Sequence, residues 1–189
     1  LERYKMQPYP KHTRIHFLYL GRIMKEKGID ELFYAVRHLK KENENFVLDL
    51  VGFFEDEYKE QVKELEKHSI AHFYGFQSDP RPFYIEADCV VLPSYHEGMS
   101  NVLLEAAATG RPVVTSNIPG CRESVENGKS GLLVEVKNKE MLYDAMKEML
   151  HCSREEREQM GQAGREKMER EFRKEVVVES LRGDEKRDF

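Results

Sequence analysis

Short, continuous apolar runs spaced along the chain, each followed by a longer stretch of helical periodicity, constrain this sequence most. Ile15–Leu20 (IHFLYL), Phe46–Val51 (FVLDLV), Ile70–Tyr74, Cys89–Leu92, Pro112–Thr115 and Leu132–Val134 are strand-sized. They do not alternate apolar with polar, as a sheet with one wet face would require. Strands buried on both faces and separated by helices imply an α/β fold: a parallel sheet of six or seven strands flanked by helices.

The intervening segments supply those helices. Asp30 can cap a helix whose Leu32, Phe33, Val36 and Leu39 recur at helical spacing. Glu57–His68 follows, then a short helix over Asp79–Ala87 with Pro80 and Pro82 in its first turn, where a missing N–H costs little. Ser100 can cap an alanine-rich helix that Gly110 closes. Cys121–Glu126 reads as one or two helical turns, and Lys139–His151, Glu155–Glu171 and Arg173–Leu181 as helices. Leu1–Thr13, polar and bearing Pro8 and Pro10, reads as a linker or expression remnant. The chain opens on Leu1 in mid-stream, so it is expected to be a piece of a longer protein.

At 189 residues the chain is sized for one well-buried domain, expected over 14–171, with an appended tail over 172–189. Lys and Arg total 30 against 35 acidic residues, a net charge of −5. That balance argues against nucleic acid as a partner, because such binding rests on neutralising phosphates. Three scattered cysteines show neither a disulfide framework nor zinc spacing, which fits a reducing cytoplasm. No signal peptide is evident, and no apolar run approaches the roughly 18 residues of a membrane span.

In such folds ligands bind beyond the carboxyl ends of the strands, so the loops there carry the chemistry. After the first strand, Gly21-Arg22-Ile23-Met24-Lys25-Glu26-Lys27-Gly28 brackets cations with glycines ahead of a helix. Arg22 offers a planar fork for phosphate oxygens, Lys27 a mobile point charge, and the helix N-terminus a positive dipole end. An ordinary solvated loop is the competing reading. Gly52 after the second strand is weak evidence alone. The densest signal is Pro93-Ser94-Tyr95-His96-Glu97-Gly98-Met99-Ser100-Asn101-Val102-Leu103-Leu104-Glu105-Ala106. Glu97 falls in the loop, and Gly98 opens space where backbone N–H groups could meet phosphate. Glu105 falls inside the helix among Val, Leu and Ala, where a carboxylate needs hydrogen-bond donors. Vicinal hydroxyls, such as a ribose diol, would supply them, and so would a nearby arginine.

Together these pieces resemble the C-terminal, donor-binding domain of retaining GT-B glycosyltransferases of family 4 (glycosyl transferases group 1). The resemblance runs from the GRxxxxKG loop through Gly52, HFYGF at His72–Phe76, Ala87-Asp88, Pro93-Ser94, and the EGxxxxxxE array from Glu97 to Glu105. It continues through EAAATGRPVV, Pro119-Gly120-Cys121-Arg122-Glu123 and Asn127-Gly128, covering about residues 14–150. It implies a Rossmann-like half of a GT-B fold that binds a nucleoside-diphosphate sugar, UDP favoured, without metal or other cofactor. By that resemblance Gly21, Arg22 and Lys27 hold the diphosphate, with Gly52 at the same edge. Arg22 and Lys27 also stabilise the leaving group, Glu97 hydrogen-bonds the transferred sugar, and Glu105 binds the ribose hydroxyls. Gly98, Met99, Ser100, Asn101 and Leu104 line the sugar and phosphates, and Phe76 and Gln77 the base. The Phe172–Leu181 segment resembles the crossover helix of that fold. The implied partners are an N-terminal acceptor domain and, in a parent protein peripheral at the inner face of the membrane, an acceptor glycan or lipid-linked sugar. The wording around Glu97 and IPGCRE is reminiscent of enzymes that build capsular or other surface polysaccharides.

Other chemistries lack their signatures. There is no GxGxxG, no GxxxxGK[ST], no GxSxG and no DxD; Glu55-Asp56-Glu57 reads as the acidic first turn of a helix. The readings left open are a non-catalytic nucleotide-binding module of the same fold, a GT-B sugar-nucleotide epimerase or glycan phosphorylase, and a structural domain with an incidental cleft.

Overall fold

The computed structural model describes residues 3–172. The apolar runs form β1 (Ile15–Leu20), β2 (Phe46–Val51), β3 (Ala71–Phe73), β4 (Cys89–Leu92), β5 (Val113–Ser116) and β6 (Gly131–Val134). All pair in parallel, in the order β3-β2-β1-β4-β5-β6. Every residue of β2, β4 and β5 is buried, the outcome expected of runs that do not alternate.

Among the described residues six helices flank the sheet: α1 (Ile29–Lys41), α2 (Lys59–Lys67), α3 (Arg81–Glu86), α4 (Asn101–Thr109), α5 (Lys139–His151) and α6 (Arg154–Glu171). The helical spacing in α1 buries Ile29, Leu32, Phe33, Val36 and Leu39, and the helix packs against α5. Each such side chain contributes roughly 1.5–3 kcal/mol by leaving water. On α4 the run of alanines lets α6 approach closely. Gly161 meets the Gly110 backbone, so a side chain there would push the helices apart, while Gly164 sits over Ala107 with room for ordinary contact. No helix among the described residues is long and apolar enough to cross a membrane.

Several boundaries differ from the sequence reading. Gly28, not Asp30, occupies the N-cap of α1, and Ser100 stands at the N-cap of α4 without a side-chain capping bond. Asp56–Tyr58 forms a 3-10 turn ahead of α2, and Cys121–Glu126 contains a single 3-10 turn, Arg122–Ser124. The helix expected at Arg173–Leu181, and the tail beyond it, lie outside the described residues.

The largest difference concerns residues 3–13. Expected as a linker, they lie packed on the domain, because distant arginines donate to their carbonyls. Arg111 reaches Gln7 and Pro8, Arg154 reaches Tyr9 and Pro10, and Arg165 reaches Tyr4. Tyr9 is buried, and its hydroxyl donates to the Asp88 carbonyl at 2.6 Å. A local reading sees only prolines and polar residues; the partners lie about a hundred positions or more away.

β2 also carries a carboxylate inside the sheet. Asp49 is buried, accepting from the Tyr74 hydroxyl (3.2 Å) and pairing with His16 Nδ1 (2.7 Å). The hydrogen bond to Asp49 raises the His16 pKa above its ordinary value against the opposing effect of burial.

Candidate functional site

The strand order reverses between β1 and β4, which places a crevice at the carboxyl edge there. The β1–α1 and β4–α4 loops meet there. Gly28 has φ +71°, and a Cβ on it would collide with the Pro93 carbonyl oxygen, so only glycine permits the contact. The Tyr95 amide donates to the Glu26 carbonyl at 2.8 Å, and the Tyr95 hydroxyl to the Glu31 carboxylate at 2.9 Å. Buried Tyr19 supports the loop from below, its hydroxyl donating to the Arg22 carbonyl at 2.6 Å. Burial and the Glu97 charge raise its pKa, keeping it a donor.

That closure brings two of the expected residues together across seventy positions. Lys27 Nζ donates to Glu97 Oε1 at 2.6 Å, and Ser94 Oγ donates to the same oxygen at 2.8 Å. The Lys27 and Glu97 side chains are 28% and 15% exposed, so the pair stands at the crevice mouth, open to exchange with a ligand. Glu97 thereby holds the lysine at the rim, and Ser94 fixes the carboxylate.

A third loop completes the wall. Gly120, at φ +88°, presses on the Glu97-Gly98 backbone so closely that a Cβ would strike the Gly98 carbonyl oxygen. The Ser100 amide donates to the Gly120 carbonyl at 3.0 Å, and the Gly120 amide donates to Glu123 at 2.7 Å. Cys121 beneath is buried, which raises its thiol pKa to about 11 and leaves it an inert packing group. Gly98 is different: a Cβ there would meet nothing within 4 Å. The fold itself therefore does not need glycine at 98.

α1 and α4 both begin at this crevice with no side chain capping their first N–H groups. Unpaired donors and the positive dipole ends suit an anion. Met99 and Asn101 are exposed at the start of α4, and Leu104 is partly covered one turn on. Gly21 and Gly52 extend their strands by backbone bonds, to Val51 at 3.0 Å and Gly75 at 2.9 Å, and shape the floor.

The remaining expected residues fall into two further groups. On the rim, exposed Arg22 lies over the Phe53 ring (5.4 Å), and Phe53 and Phe76 stand with centroids 6.5 Å apart. Phe53 and Phe76 are 51% and 70% exposed, an unusual pair of open apolar faces. Gln77 is exposed and donates to the Tyr74 carbonyl at 2.8 Å. Glu105 is partly buried in α4, and its Oε2 accepts from the Tyr84 hydroxyl at 3.0 Å. Its partners among the described residues are phenols rather than an arginine: Tyr84 from α3, and Tyr4, whose pKa a hydrogen bond to Glu105 helps raise. Sequence reasoning missed Ser94, Tyr19, Phe53 and Tyr84. Of these, Ser94 alone had a local signal, three residues before Glu97. Among the described residues no group of three or more His, Cys, Asp or Glu side chains could hold a metal ion.

Comparison with known proteins agrees with this geometry. The chain is 30% identical over 166 residues to the capsular polysaccharide biosynthesis glycosyltransferase CapM of Staphylococcus aureus, covering 86% of this chain and 43% of that protein. It therefore spans under half of that relative's length. The C-terminal domain of a glycosyl transferase group 1 family protein, LpcC of Francisella tularensis, superposes with a TM-score of 0.71 at 25% identity. That match covers 92% of this chain and 90% of the other. Anabaena HepE, solved in complex with UDP and glucose, shares the fold at TM-score 0.74 and 20% identity, over 93% of this chain and 49% of its own. The architecture is that of one half of a GT-B glycosyltransferase. The family model described as glycosyl transferases group 1 matches residues 2–167, and the chain belongs to that family.

Proposed function

We propose that this chain is the donor-binding half of a retaining, metal-independent family 4 hexosyltransferase. It holds a nucleoside-diphosphate sugar, UDP favoured, while a separate N-terminal domain presents the acceptor. One observation carries the reading: the Lys27–Glu97–Ser94 cluster stands between two uncapped helix N-termini at the point where strand order reverses. Positive donors face the crevice, as a diphosphate requires, and a carboxylate stands beside them, as a sugar hydroxyl requires.

In the proposed reaction the bond from the anomeric carbon to the diphosphate oxygen breaks. Arg22, Lys27 and the N–H groups at the start of α4 take up the charge that develops on that oxygen. The acceptor oxygen attacks from the face the diphosphate leaves, and its proton passes to the departing phosphate, so configuration is retained. Glu97 hydrogen-bonds the transferred sugar, and Glu105 the ribose hydroxyls. Phe76 and Gln77, with Phe53 beside them, flank the base. The setting proposed is surface polysaccharide or glycolipid synthesis at the cytoplasmic side of a membrane, with a glycan or lipid-linked sugar as acceptor. CapM's role in capsule biosynthesis supports that setting by similarity.

Calorimetric titration with UDP, GDP and ADP in the presence of EDTA tests the donor site. One diphosphate should bind in the micromolar to millimolar range, and Glu105→Ala should weaken it by about 1.5–3 kcal/mol, the range for hydrogen bonds to a charged group. Affinity that appears only when a divalent ion is supplied would sink the metal-independent reading.

A further inference from the structure

Behind Glu105 stands a buried phenol of the core. Tyr84, on α3, is 0% exposed, and its hydroxyl lies 3.0 Å from Glu105 Oε2 and 3.3 Å from the Val102 carbonyl oxygen. One proton serves one acceptor well, and the nearer, charged oxygen is the stronger. Burial, reinforced by the Glu105 charge, raises the Tyr84 pKa well above its ordinary value, so the hydroxyl stays a donor.

The phenol is itself held from several sides. Its backbone carbonyl accepts from Arg111 Nε at 2.8 Å, and Tyr4 packs edge-on against its ring at 5.9 Å between centroids. Burial, a hydrogen bond to Glu105 and the charge of that carboxylate raise the Tyr4 pKa to about 12. A glutamate has three rotatable bonds and loses substantial freedom when ordered. Tethering the carboxylate to buried phenols settles its plane before a ligand arrives, and its remaining lone pairs can still accept from one.

We propose that Tyr84, backed by Tyr4 of the N-terminal segment, is a positioning residue that pre-orients Glu105 to accept from the ribose hydroxyls of the donor. This rests on the proposed role of Glu105. A tyrosine acting only as core packing would leave ribose recognition untouched when its hydroxyl is removed.

The test is a ratio of affinities. UDP and 2′,3′-dideoxy-UDP are titrated into the wild-type chain and into Tyr84→Phe, with thermal unfolding run alongside. Wild type should prefer UDP by about tenfold, the equivalent of a hydrogen bond to a charged group. In Tyr84→Phe the preference should shrink to about threefold or less with the dideoxy affinity unchanged, since only the ribose contact is loosened. A full preference retained in a folded Tyr84→Phe overturns the positioning role and leaves the Glu105 reading standing. A wild type that binds both nucleotides equally, or neither, removes the ribose role of Glu105 and this inference with it. If Tyr84→Phe does not fold, Tyr4→Ala reads the same ratio: narrowing supports the proposal, and an unchanged ratio overturns it.

Discussion

Two regions of this domain treat their polar groups in opposite ways. Under α6, where residues 3–13 cross the domain, each buried donor has found a partner within the chain. Arg111 is 1% exposed and donates to the carbonyls of Gln7, Pro8, Tyr84, Ile85 and Gly110. Arg157 is spent on Tyr9, Met149 and Cys152. Asn138 caps α5, and Ser153 with Glu156 forms a capping box at α6. At the crevice the opposite holds: α1 and α4 start uncapped, Arg22 is exposed, and Lys27 and Glu97 are paired but open. Polar groups are satisfied where the strap is held and left more open at the crevice, although α2 and α3 also begin without a side-chain cap.

The contrast breaks most easily at Arg111. Arg111→Met should destabilise the fold by about 3 kcal/mol or more, because several buried carbonyls lose their donor at once. Urea denaturation reads the loss, and a change below about 1 kcal/mol would show that the strap is not held as described.

The converse substitution, Arg22→Ala, should leave the urea midpoint little changed while weakening UDP by about tenfold or more and uridine hardly at all. Equal losses for UDP and uridine would remove the diphosphate role.

Smaller still is the difference between the caps. Ser153→Ala should cost about 1 kcal/mol, the usual worth of an N-cap. Ser100→Ala should cost less, since its side chain makes no capping bond; the reverse order of the two melting temperatures would erase the contrast.

The smallest effect belongs to His16. Its pKa is raised in the folded chain, so the His16–Asp49 pair stabilises fully below the unfolded value of about 6.5 and loses that contribution as pH rises through the folded value. The stability advantage of wild type over His16→Gln should therefore be larger at pH 6 than at pH 9. An advantage that grows with pH would contradict the pairing.

The sequence by itself determined the architecture and pointed to the candidate residues. Continuous apolar runs such as FVLDLV are buried on both faces in a covered parallel sheet, and the loops after β1 and β4 carried Arg22, Lys27 and Glu97 in plain view, with Glu105 in the helix that follows. What only the tertiary structure decided are the partnerships. Lys27 meets Glu97 because the β1 and β4 loops adjoin at the reversal of strand order. Tyr84 meets Glu105 because α3 packs on α4. Residues 3–13 are packed on the domain because Arg111, Arg154 and Arg165, more than a hundred positions along the chain, donate to their carbonyls. Hydrophobic periodicity is a local property, read within a window of one element. A hydrogen bond between residues seventy or a hundred positions apart is set by how the elements stack, and no local window contains both of its ends.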